Sequence, residues 1–243
     1  MKNILILTAV FFTISTYAQE VQIIEKNENF IQKEKVEKFE YIDKNLSLTN
    51  LEKIVVLKGY SVNSEKNTLS TLFNTFWKVS NEFGANSYFI DVVENVSDTI
   101  YVQISAYYLD NRTIEDNFKL YPQNMVYAFG DLDAKKGNKR KIKINRQKIE
   151  LHPLEYVEIQ NEVGKYLTVS IGGFFGAKTD IKGIEERLPV YLSFKGFGVG
   201  PGNFNPTNFN QPSISFNTGR IFPVDMNFGQ FLINIFEKRE NSN

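Results

Sequence analysis

Leu69, Leu72, Phe73, Phe76, Val79 and Phe83 recur at three- and four-residue steps. That spacing lines one face of a 3.6-residue turn and predicts a helix ending at Phe83. Asn63 or Ser64 can cap its start, and Gly84 stands where a helix needs a left-handed residue to turn its last carbonyls toward new partners. Beyond it, residues 88–93 are dense in β-formers and residues 95–98 supply turn chemistry. Ile100, Val102, Ile104 and Ala106 then alternate with Tyr101, Gln103, Ser105 and Tyr107. Two strands are predicted, the second with one face buried and one face wetter. A short apolar run at 54–57 precedes Gly59, so the order is strand, helix, strand, strand, with the helix covering one face of a small sheet.

On either side the pattern is different. Residues 20–48 mix Lys and Glu with scattered Ile, Phe and Val, and predict a strand over 36–42 after a poorly ordered start. From Tyr121 onward glycine, turn residues and β-branched runs replace any helical period. Ile142 and Ile144 face Ile149 and Leu151 across a turn at Asn145-Arg146, the strongest hairpin signal in this half. Further strands are predicted over 125–129, 156–160, 166–171, 189–197, 213–216 and 231–236, with a tightly turning loop at the glycines from Gly196 to Gly202. Short strands at this spacing predict a β-sandwich or open barrel. The expected class is α+β: an N-terminal α/β domain over 20–120, then an all-β, sandwich-like domain over 121–240.

Residues 1–19 read as a secretory signal peptide, with Lys2 as the positive start, a short apolar core over 4–14 and small residues in Thr16-Tyr17-Ala18. The apolar run is shorter than the ~20 residues a spanning helix needs. The mature chain is expected to be exported, periplasmic or extracellular, with no membrane span. There is no cysteine, which removes disulfides, thiolate metal sites, cysteine nucleophiles and a lipoprotein anchor. A helix followed by Gly84-Ala85-Asn86 and an apolar strand resembles the small α/β domains of exported bacterial envelope proteins, including some outer-membrane stress-sensor lipoproteins. The resemblance covers residues 54–108 and implies an envelope protein; the missing cysteine leaves neither signalling nor anchoring to carry over. The run 143–160, with 164–171 and 191–194, is similar to exported β-sandwich modules. Charge balances, 28 basic against 28 acidic residues, so no overall field draws in nucleic acid or an anionic membrane.

Candidate chemistry is sparse. The single histidine, His152, has neither a nucleophile elbow nor a second histidine to work with, and its expected role is structural. Asp131 and Asp133 open like a calcium loop, but Lys135 and Lys136 occupy positions that need an oxygen ligand and a glycine. Gly172, Gly173 and Gly176 precede Lys178-Thr179 without forming a phosphate loop, because Ala177 interrupts it, and Pro201 breaks a dinucleotide pattern in the later glycine run. No catalytic residue, metal ligand or cofactor is assigned. Glu150, Glu155, Glu158 and Glu162 could supply paired carboxylates to a glycan-active enzyme, although no spacing selects a pair. Eight of the fourteen residues over 135–148 are basic. Lys139, Lys141 and Lys143 alternate there as an exposed β-face or a protected edge strand would, the edge being the preferred reading and an anion site the weaker one. Trp77 is expected to be half-buried and to pack toward the second domain. Phe204, Asn205, Asn208, Phe209 and Asn210 form the expected ligand contact, since rings stack on sugar faces and amides read hydroxyls; a core role for the two rings is the stronger reading. The expected function is therefore non-catalytic binding of a glycan or an envelope protein, with a carboxylate enzyme or a purely structural role as alternatives.

Overall fold

The computed structural model describes residues 21–31, 38–62, 67–132, 137–172, 176–195, 198–202, 213–217 and 220–240. Three helices and several packed sheets make the described chain mostly β. Its first part contains β1 (Gln22–Lys26), β2 (Glu40–Tyr41), β3 (Glu52–Ser61), α1 (Leu69–Glu82), β4 (Ser87–Val96), β5 (Thr99–Tyr108) and α2 (Asn111–Lys119). The strands form one sheet in the order β1-β3-β5-β4-β2. Helix α1 lies on it with Leu69, Leu72, Phe73 and Phe76 buried, against Val55, Leu57, Val102 and Ile104 of the same core. The expected strand over 36–42 is described only as the two residues of β2, and the expected loose start contains β1.

The helix begins later than its caps suggested. Thr68 is the N-cap and its hydroxyl accepts from the Thr71 N–H at 3.1 Å. Its end follows the expectation: Gly84 has φ 86°, its N–H donates to the Asn81 carbonyl and the Ala85 N–H to the Ser80 carbonyl, both at 3.0 Å, the paired bonds of a glycine-terminated helix. Asn86 then donates to the Leu109 carbonyl at 2.7 Å and accepts from the Leu109 N–H at 2.8 Å. Gly84-Ala85-Asn86 is thus a folding device, tying the helix exit to the end of β5.

Helix α2 was missed by the periodicity argument because its two apolar anchors, Ile114 and Phe118, are too few to show a period. Asp110 caps it, accepting from the Thr113 N–H at 2.8 Å. Fully buried Asn117 accepts from the Asp43 N–H at 2.8 Å and donates to the Tyr41 carbonyl at 2.7 Å.

The second part contains β6 (Met125–Phe129), β7 (Arg140–Ile144), β8 (Gln147–Leu151), β9 (Glu155–Gln160), β10 (Tyr166–Ile171), β11 (Ala177–Lys182), β12 (Val190–Lys195), β13 (Gly198–Gly202), β14 (Ser213–Asn217), β15 (Arg220–Pro223), α3 (Met226–Ile233) and β16 (Glu237–Lys238). A four-stranded sheet runs β11-β10-β7-β8 and a five-stranded one β15-β12-β6-β9-β16. Alternation sorts the five-stranded sheet's residues between two neighbours. Val126, Ala128, Val157, Leu192 and Phe194 share a core with Ile142, Ile144, Leu167 and Val169 of the four-stranded sheet. Tyr127, Phe129, Tyr156 and Tyr191 join the core that holds α1 and α3. Burial on both faces explains why β6 reads as an unbroken apolar run.

Two expectations are corrected here. The predicted strand over 231–236 is replaced by α3, followed by a turn that leads to β16. Its apolar run cannot be told from a buried strand by periodicity alone, and the decisive signal is its cap: Asp225 accepts from the N–H groups of Asn227 and Phe228 at 2.9 and 3.1 Å. The glycine run read as a loop includes β13, which pairs antiparallel with β14.

Candidate functional site

Phe204, Asn205, Asn208, Phe209 and Asn210, the expected contact residues, lie outside the described residues. Asp133 does as well. Asp131 is engaged by the Arg140 guanidinium in a largely buried ion pair, and no metal-ligand cluster occurs among the described residues. His152 is half-exposed, with Nε2 4.0 Å from a Glu150 oxygen, and its backbone N–H donates to Glu155 at 2.8 Å. Trp77 on α1 is 36% exposed.

The four glutamates considered for paired-carboxylate chemistry each have a cation beside them. Glu150 lies 3.1 Å from Lys139, Glu155 3.6 Å from Arg239 and Glu162 2.6 Å from Lys165, while Glu158 pairs with Lys238. Lys139 holds the Glu150 carboxyl below its ordinary range, opposite to the rise a proton donor at neutral pH needs. The open cleft at Glu158, Lys238, Arg239 and Glu240, about 470 Å³, therefore presents salt-bridged groups rather than an acid and base poised apart.

A buried carboxyl does occur where the two parts of the chain meet. Glu40 on β2 is 6% exposed, and burial raises its pKa while the Asn227 side chain opposes the rise by hydrogen bonding. Its Oε2 has no hydrogen-bond partner among the described residues. Asn227 also accepts from the Tyr41 N–H at 3.0 Å, and its carbonyl accepts from the Tyr88 hydroxyl at 2.6 Å. These bonds fasten α3 to β2 and β4, so the group serves the junction.

Charged side chains gather on the outer face of the four-stranded sheet. β7 is not the expected edge strand: β8 pairs with it on one side and β10 on the other. With Ile142, Ile144, Leu167, Val169, Ile171 and Ile181 turned into the core, the alternate positions are forced outward. Lys143 stands opposite Lys148 on β8 and opposite Ser170 on β10, and Ser170 opposite Lys178 on β11. Lys141 pairs across with Glu150, and Tyr166 with Lys182. The Thr168 hydroxyl donates to Asp180 at 2.5 Å, and Lys178 lies 3.1 Å from the same carboxylate; both hold its pKa down, the threonine more strongly. Asn145 and Arg146 make the tight turn at φ 48° and 72°, and Asn145 accepts from the Thr168 N–H at 3.0 Å, which ties the turn to β10. Sequence reasoning placed Lys141, Lys143 and Lys148 in one basic run but missed Lys178 and Lys182, because only strand pairing brings these to the same face.

A second open surface lies on the N-terminal sheet, away from α1. Tyr60 and Tyr101 are cross-strand partners with ring centroids 5.9 Å apart, and the Lys58 ammonium is 6.0 Å from the Tyr101 ring.

No protein-family model matches the chain, and comparison with curated proteins and with solved structures finds no match. The likeness of residues 54–108 to envelope α/β domains thus rests on the helix-Gly-Ala-Asn-strand pattern alone. No helix among the described residues is long and apolar enough to cross a membrane.

Proposed function

We propose that this chain is an exported, non-catalytic binding or interaction protein of the bacterial cell envelope or exterior, working through an open sheet face rather than an enclosed pocket. The observation that carries this reading is the outer face of the four-stranded sheet. Five lysines, Lys141, Lys143, Lys148, Lys178 and Lys182, stand there with two acids, Glu150 and Asp180, in a chain of zero formal charge. A neutral protein that gathers cations on one surface creates a local field its net charge hides. Export is supported by the signal-peptide pattern of residues 1–19. We further infer a sandwich-like pairing of the four- and five-stranded sheets, supported by the core they share. The segment 203–211 is a proposed second contact, on the strength of the rings and amides interspersed in its sequence.

The test is an array of glycans and envelope polysaccharides, probed with the full chain, with Lys148→Glu and with a deletion of 203–211. The expected result is selective binding by the full chain that one of the two variants weakens. An array that stays blank, with a protein captured by crosslinking in the native envelope, would replace glycan recognition by a protein partner. Hydrolysis of any arrayed glycan would overturn the non-catalytic reading.

A further inference from the structure

The row Lys148, Lys143, Ser170, Lys178 crosses all four strands of the sheet. Neighbouring strands are ~4.8 Å apart, so an extended chain laid across them meets ammonium groups at intervals of about 5 and 10 Å. Lys143 and Lys148 are directly opposite one another, an arrangement that costs stability because like charges face across the pair. One register step away the same two strands place Lys141 opposite Glu150, so this hairpin already accommodates the cheaper arrangement. Lys178 shares a carboxylate with Thr168, whereas Lys143, Lys148 and Lys182 have no ion-pair partner among the described residues. Tyr166, 62% exposed and opposite Lys182, offers a ring at the end of this surface.

We propose that this face binds an anionic polysaccharide along the Lys148–Lys143–Ser170–Lys178 row, with Tyr166 stacking on a sugar ring; the proposal rests on the binding-protein reading above and names its ligand class. Charge complementarity selects a polyanion. Within polyanions, the neighbours of the lysines select a glycan: Ser170 and Thr168 provide hydroxyls, and Asp180 can accept from sugar hydroxyls. Nucleic acid finds one ring here where strand-binding proteins present several. A bilayer would find no apolar side chain to insert, since the outward positions of these strands are Lys, Glu, Ser, Thr, Asp and Tyr. The face is also pre-organised, because the inward isoleucines, leucine and valine fix the register that aligns the lysines.

The test measures the full chain's affinity for dextran sulfate, uncharged dextran, single-stranded DNA, polyglutamate and phosphatidylglycerol vesicles over a range of salt concentrations. Dextran sulfate is expected to bind with affinity that falls as salt rises, more tightly than DNA, polyglutamate or vesicles, and uncharged dextran not to bind. Lys148→Glu is the informative variant. It places an acid opposite Lys143, so the melting temperature should hold or rise while dextran sulfate affinity falls by about tenfold, through loss of one cation and gain of an anion. Tyr166→Ala should weaken dextran sulfate without changing its salt slope, and Lys44→Glu, away from the face, should change neither. Unchanged affinity in Lys148→Glu would overturn the proposal, as would equal binding of DNA or polyglutamate. If the glycan array shows binding that is indifferent to Lys148→Glu, the face is excluded and the binding-protein reading survives. If array and dextran sulfate are both blank, the polysaccharide proposal falls, and the binding-protein reading falls with it unless crosslinking captures a protein partner.

Discussion

Glu40 shows most directly what placement does to a single side chain. In the unfolded chain it is an ordinary carboxyl; in the folded one burial favours its protonated form. A carboxyl whose folded pKa is raised costs nothing while both states hold the proton. As pH climbs past the unfolded value the unfolded chain ionises first, so stability falls with rising pH until the folded pKa is passed. Glu40→Gln should therefore melt with the parent near pH 4 and about 2 °C higher at pH 7. Calorimetry at the two pH values checks it, and a constant offset would show that burial is not the cause. Two glycines make a second contrast. At Gly84 the constraint is conformational, φ 86°, and Gly84→Ala should cost about 1 kcal/mol in denaturant unfolding. At Gly229 it is steric: a Cβ would lie 2.4 Å from the Tyr191 ring, and that ring is stacked on Tyr127 with centroids 5.1 Å apart. Gly229→Ala should cost more, about 2 kcal/mol, as overpacking does.

Elements in this chain are set by their ends as much as by their faces. Helix α3 is apolar on most sides because it is wedged between aromatic surfaces: Phe231 touches the rings of Phe73, Phe76 and Tyr88, and Phe236 just beyond the helix meets Phe129 edge-on. Such an element has no polar stripe to reveal its period. The cap gives it away, and Asp225→Ala should lower stability by about 1 kcal/mol, read from urea unfolding. The β7–β8 hairpin was legible throughout, since Asn145-Arg146 is a turn that fixes register and apolar residues alternate on both arms, Ile142 and Ile144 against Ile149 and Leu151. Its position in the sheet was not legible, because nothing local tells an edge strand from an inner one when β10 arrives some twenty residues later. The short α2 was illegible for a related reason: it is held by Asn117, which with Tyr121 bonds to the Tyr41 carbonyl of β2, and a buried amide has no sequence periodicity.

At the scale of the whole molecule, the core that contains Phe39, Phe73 and Tyr88 also contains Tyr127, Tyr191 and Phe231. Removing everything after residue 224 should expose those rings, and the shortened chain is expected to bind a hydrophobic dye and lose its cooperative melt. A cooperative melt near the parent's would show that the N-terminal part stands without α3. The sequence by itself determined the local pieces: the α1 face and its glycine stop, the alternating strands, the hairpin turn, and the missing cysteines and second histidine that bound the chemistry. Those depend on neighbours within a few turns of chain, where spacing and backbone preference act directly. Only the tertiary structure decided that α3 is a helix between two sheets, that β7 lies inside its sheet, and that Lys143, Lys148 and Lys178 form one row. These are consequences of pairing between residues far apart in the chain, and what decides them is which surfaces exclude water together, a property no single segment carries.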